Sequence, residues 1–273
     1  FEMGKIPSKE TVLKASPIND QPQAAFAPAP IEDVVAAIKA EKPAMVFAPH
    51  VETASGIILP DDYIKQVADA VHSVGGLFVL DCIASGTIWV DMQACGVDVL
   101  ISAPQKGWSS SPCSALVMLS EGAEKRLHET TSSSFACDLR KWRDIMIAYE
   151  NGGHAYHATM PTDALTGFRD TMMETVERGL ETVKAEQWQL GKAVRALMAE
   201  HGLVVSYTGD DGIKSGAAFI AQGLQTAGGV PLMCDEPADF KTFRVGLFGL
   251  DKLGDVDAAV ARLKTALDQL AAG

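Results

Sequence analysis

The chain has 273 residues, enough to bury a sizeable core in one large domain or in one large and one small. With 23 Lys and Arg against 35 Asp and Glu its formal net charge is −12, which argues against a nucleic-acid surface and requires any anionic ligand to be held locally, against the overall field. No apolar stretch approaches the length of a membrane span, no secretory signal pattern is present, and the five cysteines show no C-x-x-C spacing, so neither a disulfide framework nor a zinc site is suggested and a reducing cytoplasm is the expected compartment.

In chain order, residues 1–30 are rich in proline, alanine and glutamine without periodicity, and read as an irregular, extended segment. Residues 31–40 (IEDVVAAIKA) place Val34, Val35 and Ile38 at helical spacing behind an acidic first turn, and Lys42-Pro43 ends that helix. Residues 45–48 form a short candidate for a buried strand. The loop at residues 49–56 follows, crowding His50, Glu52, Thr53 and Ser55 together. Hydroxyls in a strand-to-helix loop ordinarily cap, and His50 is either a satisfied structural histidine or a group standing behind a site. Pro60-Asp61-Asp62 opens a second helix, with Ile64, Val67, Ala68 and Val71 on one face and Gly75-Gly76 as its stop. Strand, helix and next strand make a βαβ unit, hence a parallel pair.

Residues 77–108 (LFVLDCIASGTIWVDMQACGVDVLISAPQKGW) carry the strongest signal. Two short apolar runs, one ending in Asp81 and one spanning Val97, Val99, Leu100 and Ile101, have the form of buried parallel strands. Asp81 and Lys106 then fall just beyond the carboxyl ends of neighbouring strands, where open α/β sheets keep ligands. A carboxylate and a lysine so placed suit pyridoxal phosphate: the amine forms a Schiff base with the aldehyde, and the carboxylate pairs with the protonated pyridine nitrogen. Taken singly, each residue has an ordinary reading as a helix cap or a surface charge. Trp89 and Asp91, between the runs, read as packing and a turn.

Past Lys106, small polar residues (SSSPCS) permit close approach to the backbone, and residues 115–119 return as a strand. Residues 151–165 (NGGHAYHATMPTDAL) combine paired glycines, His154, Tyr156, His157 and Thr159, with Pro161 and Asp163 leading into a helix. Two histidines three apart without a third ligand motif are a weak metal signal, so no metal is expected. Residues 162–200 form a long helical region whose apolar face runs through Met172, Val176, Leu180 and Val183, with Gly179 and Gly191 as points of bending. Beyond it, strands are expected at residues 203–207, 230–233 and 242–247, a helix at 217–226 and a final helix from Asp255. In FRVGLFG (residues 243–249) an arginine, Arg244, sits inside an apolar strand. It requires an anionic partner there, either a substrate carboxylate or a structural ion pair.

The runs HVETASG, LDCIAS and GVDVLISAPQKGW together resemble the class V, fold type I pyridoxal-phosphate aminotransferases, in particular the alanine–glyoxylate and serine–glyoxylate branch. The likeness extends over about residues 45–250, with four motifs in order. It implies an α/β fold with a large, mainly parallel cofactor-binding domain (residues 1–161), a linking helical region (162–200) and a small C-terminal α/β domain (201–273). It further implies that Lys106 carries pyridoxal 5'-phosphate, that Asp81 binds its pyridine nitrogen, that Gln105 contacts it, and that Thr53 hydrogen-bonds its phenolic oxygen. Tyr156 and Thr159 match a Tyr-x-x-Thr motif that reaches the cofactor phosphate of the partner subunit, which implies a homodimer with shared sites. Arg244 matches an Arg-Ile-Gly type motif that binds the substrate carboxylate, with Val245 in place of isoleucine.

The function so implied is transfer of an amino group from a small amino acid, alanine- or serine-like, to a 2-oxo acid such as glyoxylate or pyruvate. Two alternatives stand beside it. One is another class V chemistry, a lyase or a desulfurase; desulfurases usually place histidine where Gln105 stands, and Cys137 lies close downstream of the lysine. The other is a truncated, non-catalytic chain, since the family's glycine- and serine-rich phosphate turn and its stacking aromatic residue are not found in this sequence.

Overall fold

The computed structural model describes residues 10–21, 24–203 and 211–272. The elements in chain order begin with β1 (Ser16–Pro17), β2 (Phe26–Ala27), α1 (Ile31–Glu41), β3 (Met45–Pro49), β4 (Val51–Glu52), β5 (Ile57–Ile58) and α2 (Asp61–Ser73). There follow β6 (Leu77–Asp81), α3 (Met92–Cys95), β7 (Val99–Ser102), β8 (Leu116–Leu119), α4 (Glu121–Glu129) and α5 (Leu139–Glu150). The chain closes with α6 (Thr162–Arg178), α7 (Leu180–Glu200), α8 (Asp211–Ser215), α9 (Ala217–Ala221), β9 (Ala227–Gly228), β10 (Phe243–Arg244), α10 (Leu250–Leu253) and α11 (Val256–Ala272).

The central sheet has the order β3-β6-β7-β8. Its first three strands are parallel and β8 runs antiparallel to β7, so the expected α/β class with a mainly parallel sheet is the one observed. Burial explains the β6 run: Phe78, Val79 and Leu80 are all buried, as a central parallel strand requires. Here β3 corrects the sequence reading. It is an edge strand with Met45 and Phe47 exposed, and only Val46 and Ala48 pack inward.

One core lies between the sheet and the first two helices, and joins Val34 and Ile38 of α1, Ile64, Val67 and Val71 of α2, and Phe78, Leu80 and Leu100 of the strands. Both helices begin with paired acids and stop where predicted: Lys42 takes a left-handed backbone after α1, and Gly75 does so after α2. At the amino end of β7, buried Asp98 accepts hydrogen bonds from the Phe78 amide (2.8 Å), His72 Nε2 (2.8 Å) and Ser120 Oγ (3.0 Å). That carboxylate ties α2, β6, β7 and the start of α4 together at the end of the sheet opposite the strands' carboxyl ends.

The long helical region is two helices, broken at Gly179 with φ +97°. The predicted apolar face is not continuous: Val176 and Leu180 are exposed while Val183 is fully buried, because the break re-aims the chain. A second core gathers Val183, Leu190, Val194 and Leu197 of α7, Phe219, Phe243, Leu253, and Leu263 and Leu267 of α11. The C-terminal strands are fewer and shorter than expected. Residues 230–233 are irregular, the 242–247 candidate contributes only the two-residue β10 paired with β9, and the 217–226 helix ends at Ala221. Of the candidate at 203–207, residues 204–207 lie outside the described residues. Near the amino terminus, the irregular segment instead contains the β1-β2 pair, with Phe26 set edge-on to Phe240 and Lys14 paired with Asp235. Among the described residues no helix is long and apolar enough to cross a membrane.

Candidate functional site

Register places the candidate residues. Pro49 lies opposite Asp81 and Asp81 opposite Ile101, so β3, β6 and β7 end level and their three outgoing loops leave side by side. The pairing runs one residue further, through the His50 amide on the Asp81 carbonyl and the Cys82 amide on the Ile101 carbonyl, both 2.8 Å.

The loop after β3 presents Thr53. Its turn is held by Glu52, whose carboxylate accepts from the Ala54 amide (3.0 Å), the Ser55 amide (2.7 Å) and Ser55 Oγ (2.6 Å). Glu52 therefore does the capping that the sequence also allowed for the hydroxyls, no side chain caps α2, and Thr53 stands exposed at the turn.

The loop after β6 presents Asp81. Its carboxylate is exposed and accepts from the Ile83 amide at 2.9 Å, with no cation paired to it among the described residues. Behind it His50 is buried, its Nδ1 2.7 Å from Ser85 Oγ. Burial pushes the His50 imidazole down to about 4, so the ring is neutral near pH 7; the Asp61 charge opposes that shift and the Lys184 charge adds to it. Burial likewise pushes the Cys82 thiol up to about 12, with the Asp81 charge adding to it. His50 is thus a satisfied buried histidine that also stands directly behind the Asp81 strand end.

The loop after β7 presents Gln105, which is exposed, and Lys106, which is half-buried. Lys106 Nζ sits 5.0 Å from the centre of the Phe248 ring. Three contacts fix the turn around it. A Cβ on Gly107 would meet the Gly86 carbonyl oxygen at 2.0 Å, so the lysine turn lies directly on the loop after β6. Gly86, at φ +62°, leaves no room for a side chain against Gln187 of α7. Ser109, also left-handed at φ +58°, accepts the Leu250 amide on its Oγ at 2.9 Å. Trp108 stacks on Trp89 at 4.7 Å, and Trp89 Nε1 donates to the Leu180 carbonyl, the packing role expected of that tryptophan.

Tyr156 and Thr159 lie in the loop between α5 and α6, both exposed, with their hydroxyls 3.5 Å apart. His157 holds that loop down: Nε2 donates to the Phe135 carbonyl at 2.8 Å, and its ring packs on Phe135 and edge-on to Trp142. Among the described residues no group of three or more His, Cys, Asp and Glu could hold a metal ion. Arg244, half-buried in β10, donates Nε to the Gly228 carbonyl at 3.0 Å and pairs with no carboxylate among the described residues. The structural ion pair that would have explained it is therefore not formed there.

Thr53, Asp81 and Lys106 are thus carried on loops that leave the carboxyl ends of three adjacent strands, and the segment bearing Arg244 reaches Lys106 through Phe248. Tyr156 and Thr159 lie on a separate loop, between α5 and α6, and both are exposed. Sequence reasoning missed Phe248, Ser109, Gly86 and Gln187. The only local signal for them was the density of small residues after Asp81 and Lys106.

An exposed carboxylate, an amine and a hydroxyl at three neighbouring strand ends match the donor set that pyridoxal phosphate needs around its ring. Comparison with known proteins agrees. Residues 10–226 match the family described as aminotransferase class-V. The chain is 29% identical over 177 residues to an alanine–glyoxylate aminotransferase of Felis catus, covering 63% of this chain and 40% of that protein. It is 27% identical over 172 residues to an L-aspartate–glyoxylate aminotransferase of Paracoccus denitrificans, covering 63% and 42%. Among solved structures, an alanine–glyoxylate aminotransferase from Nostoc sp. superposes with a TM-score of 0.72 at 21% identity, over 88% of this chain and 65% of the other. The matches to these two sequence relatives span about two fifths of their lengths.

Proposed function

The chain belongs to the class-V aminotransferase family, whose members use pyridoxal phosphate, and on that premise we propose that it moves an amino group from a small amino acid, alanine- or serine-like, to a 2-oxo acid such as glyoxylate or pyruvate. The observation that carries this reading is the placement of Asp81, Thr53 and Lys106 on the loops leaving three level strands. The cofactor, when bound, supplies an electron sink for a substrate carbanion.

Each residue then has a task. Asp81, exposed and with no cation paired to it among the described residues, would keep the pyridine nitrogen protonated. Thr53 offers its hydroxyl to the phenolic oxygen, and Gln105 contacts the cofactor beside Lys106. Lys106 would hold the cofactor through its amine, and when that amine is free it would serve as the general base and acid that takes a proton from the substrate Cα and gives one back. Arg244 binds the substrate carboxylate with its guanidinium fork. The reaction is ping-pong, because the donor leaves as an oxo acid before the acceptor enters.

We further propose a homodimer in which Tyr156 and Thr159 serve the cofactor phosphate of the partner subunit, a reading supported by their joint exposure on a loop braced by His157. We also propose the division into a cofactor-binding part to residue 161, a helical link to 200 and a C-terminal part from 201; the first core lies within the first of these, and the second is shared between α7 of the link and the C-terminal part. A reducing cytoplasm is supported by five free cysteines.

The test is the visible absorption of the purified chain with pyridoxal phosphate, beside Lys106→Ala. A Schiff-base band that requires Lys106, bleaches with alanine or serine and returns with glyoxylate supports the reading. Absence of any Lys106-dependent band overturns it for this chain.

A further inference from the structure

Lys106 has neither a carboxylate nor a hydrogen-bond acceptor for its Nζ among the described residues; its charge rests against the face of Phe248, 5.0 Å from the ring centre. A cation over an aromatic face is held by the ring quadrupole. The backbone on both sides of Phe248 is held as well. The preceding carbonyl, that of Leu247, accepts Gln187 Nε2 at 2.6 Å, and the Leu250 amide donates to Ser109 Oγ in the lysine turn at 2.9 Å. Between them Gly249 takes φ +115°, and a Cβ there would meet Asp251 Oδ1 at 2.4 Å. Residues 247–250 are therefore braced against α7 and against the lysine's own turn, by contacts that do not involve the Lys106 side chain.

We propose that Phe248 is a positioning residue for Lys106: its ring face holds Nζ in the interval when the amine is not linked to cofactor, most tightly once the amine has taken a proton, so that Nζ stays at the site instead of extending into solvent. The part this plays in turnover rests on the reading of Lys106 as the cofactor lysine. The contact itself does not. Phe248 also lies four residues from Arg244 on the same segment, so the group proposed to bind the substrate carboxylate and the group that steadies the amine are carried by one braced stretch of chain.

The contact is read without cofactor. The full chain is reductively methylated with ¹³C-formaldehyde, and the dimethyl-lysine resonances are recorded near neutral pH, with that of Lys106 assigned by its loss in Lys106→Arg. A ring over Nζ displaces this resonance upfield of the surface lysines. Phe248→Leu is expected to return it to their position and Phe248→Tyr to keep it displaced, with unchanged circular dichroism in both. A wild-type Lys106 resonance already among the surface lysines, or one unmoved by Phe248→Leu, overturns the proposal whether or not the chain binds cofactor. A displaced resonance in a chain without a Lys106-dependent absorption band leaves the contact standing and overturns the aminotransferase reading instead. In turnover, Phe248→Leu is expected to lower kcat by about two- to fivefold, the magnitude of an exposed cation–π contact, with KM for the amino acid unchanged and kcat restored in Phe248→Tyr. An unaltered kcat in a variant whose displaced resonance is lost overturns the positioning role.

Discussion

His50 Nδ1 lies 2.7 Å from Ser85 Oγ in a pocket where the histidine is 1% exposed, immediately behind the strand end that carries Asp81. Burial lowers the imidazole from its ordinary 6.5 to about 4. In the interval between those values the unfolded chain binds a proton that the folded chain does not, so stability rises with pH across it. The contribution is complete above about pH 6.5 and is lost as pH falls to about 4, by about 3 kcal/mol. Urea midpoints measured at pH 7 and at pH 4.5 should separate accordingly, and His50→Asn should remove that part of the pH dependence.

Gly107→Ala should damage the site through its frame. The added carbon would meet the Gly86 carbonyl oxygen at 2.0 Å, and the obstacle is backbone that cannot rotate away. We expect a loss of about 1–3 kcal/mol, as for overpacking elsewhere, together with weaker capture of pyridoxal phosphate by Lys106 in the folded fraction. Thermal melting and the visible band, measured on one preparation, check both.

Asp98→Ala should act on stability alone. It strips the Phe78 amide, His72 and Ser120 of their shared acceptor, leaving a buried amide unpaired at a cost of about 3 kcal/mol. Asp98 is at the amino end of β7, away from the Lys106 loop, so the Lys106-dependent band per folded molecule should match the wild type. A selective loss of the band at full folding would contradict this.

Arg244→Lys should raise KM for the amino acid about ten- to hundredfold, the worth of a charge-assisted hydrogen bond, while kcat at saturating substrate changes little. Lysine keeps the charge but not the two-pronged donor geometry. Initial rates across substrate concentrations separate the two constants. A change confined to kcat would remove Arg244 from substrate binding.

Much of the site was legible in local sequence because its residues sit at the ends of elements with clear patterns. The apolar run of β6 stops at Asp81 and that of β7 shortly before Lys106, and the helix between β3 and β6 makes those strands parallel, so that the loops bearing Thr53 and Asp81 leave the same end of the sheet. The helices α1 and α2 were equally plain, with acidic starts, periodic apolar faces and left-handed stops. The errors concentrate in the C-terminal part. Strands as short as the pair at β9 and β10 carry no alternation to read, and the break at Gly179 turned an apparently continuous apolar stripe into two faces.

By itself, then, the amino-acid sequence determined the order of strands and helices in the first half of the chain and the end of the sheet on which Asp81 and Lys106, the groups of the proposed site, fall. Only the tertiary structure decided what surrounds them. Ser109 and Leu250 are 141 positions apart, Gly86 and Gly107 meet backbone to side, and Phe248 comes to rest over Lys106 because α7 and the lysine turn brace its flanks. Such contacts close long loops and are chosen by the packing of whole elements, whereas periodicity records only which way each residue faces within its own.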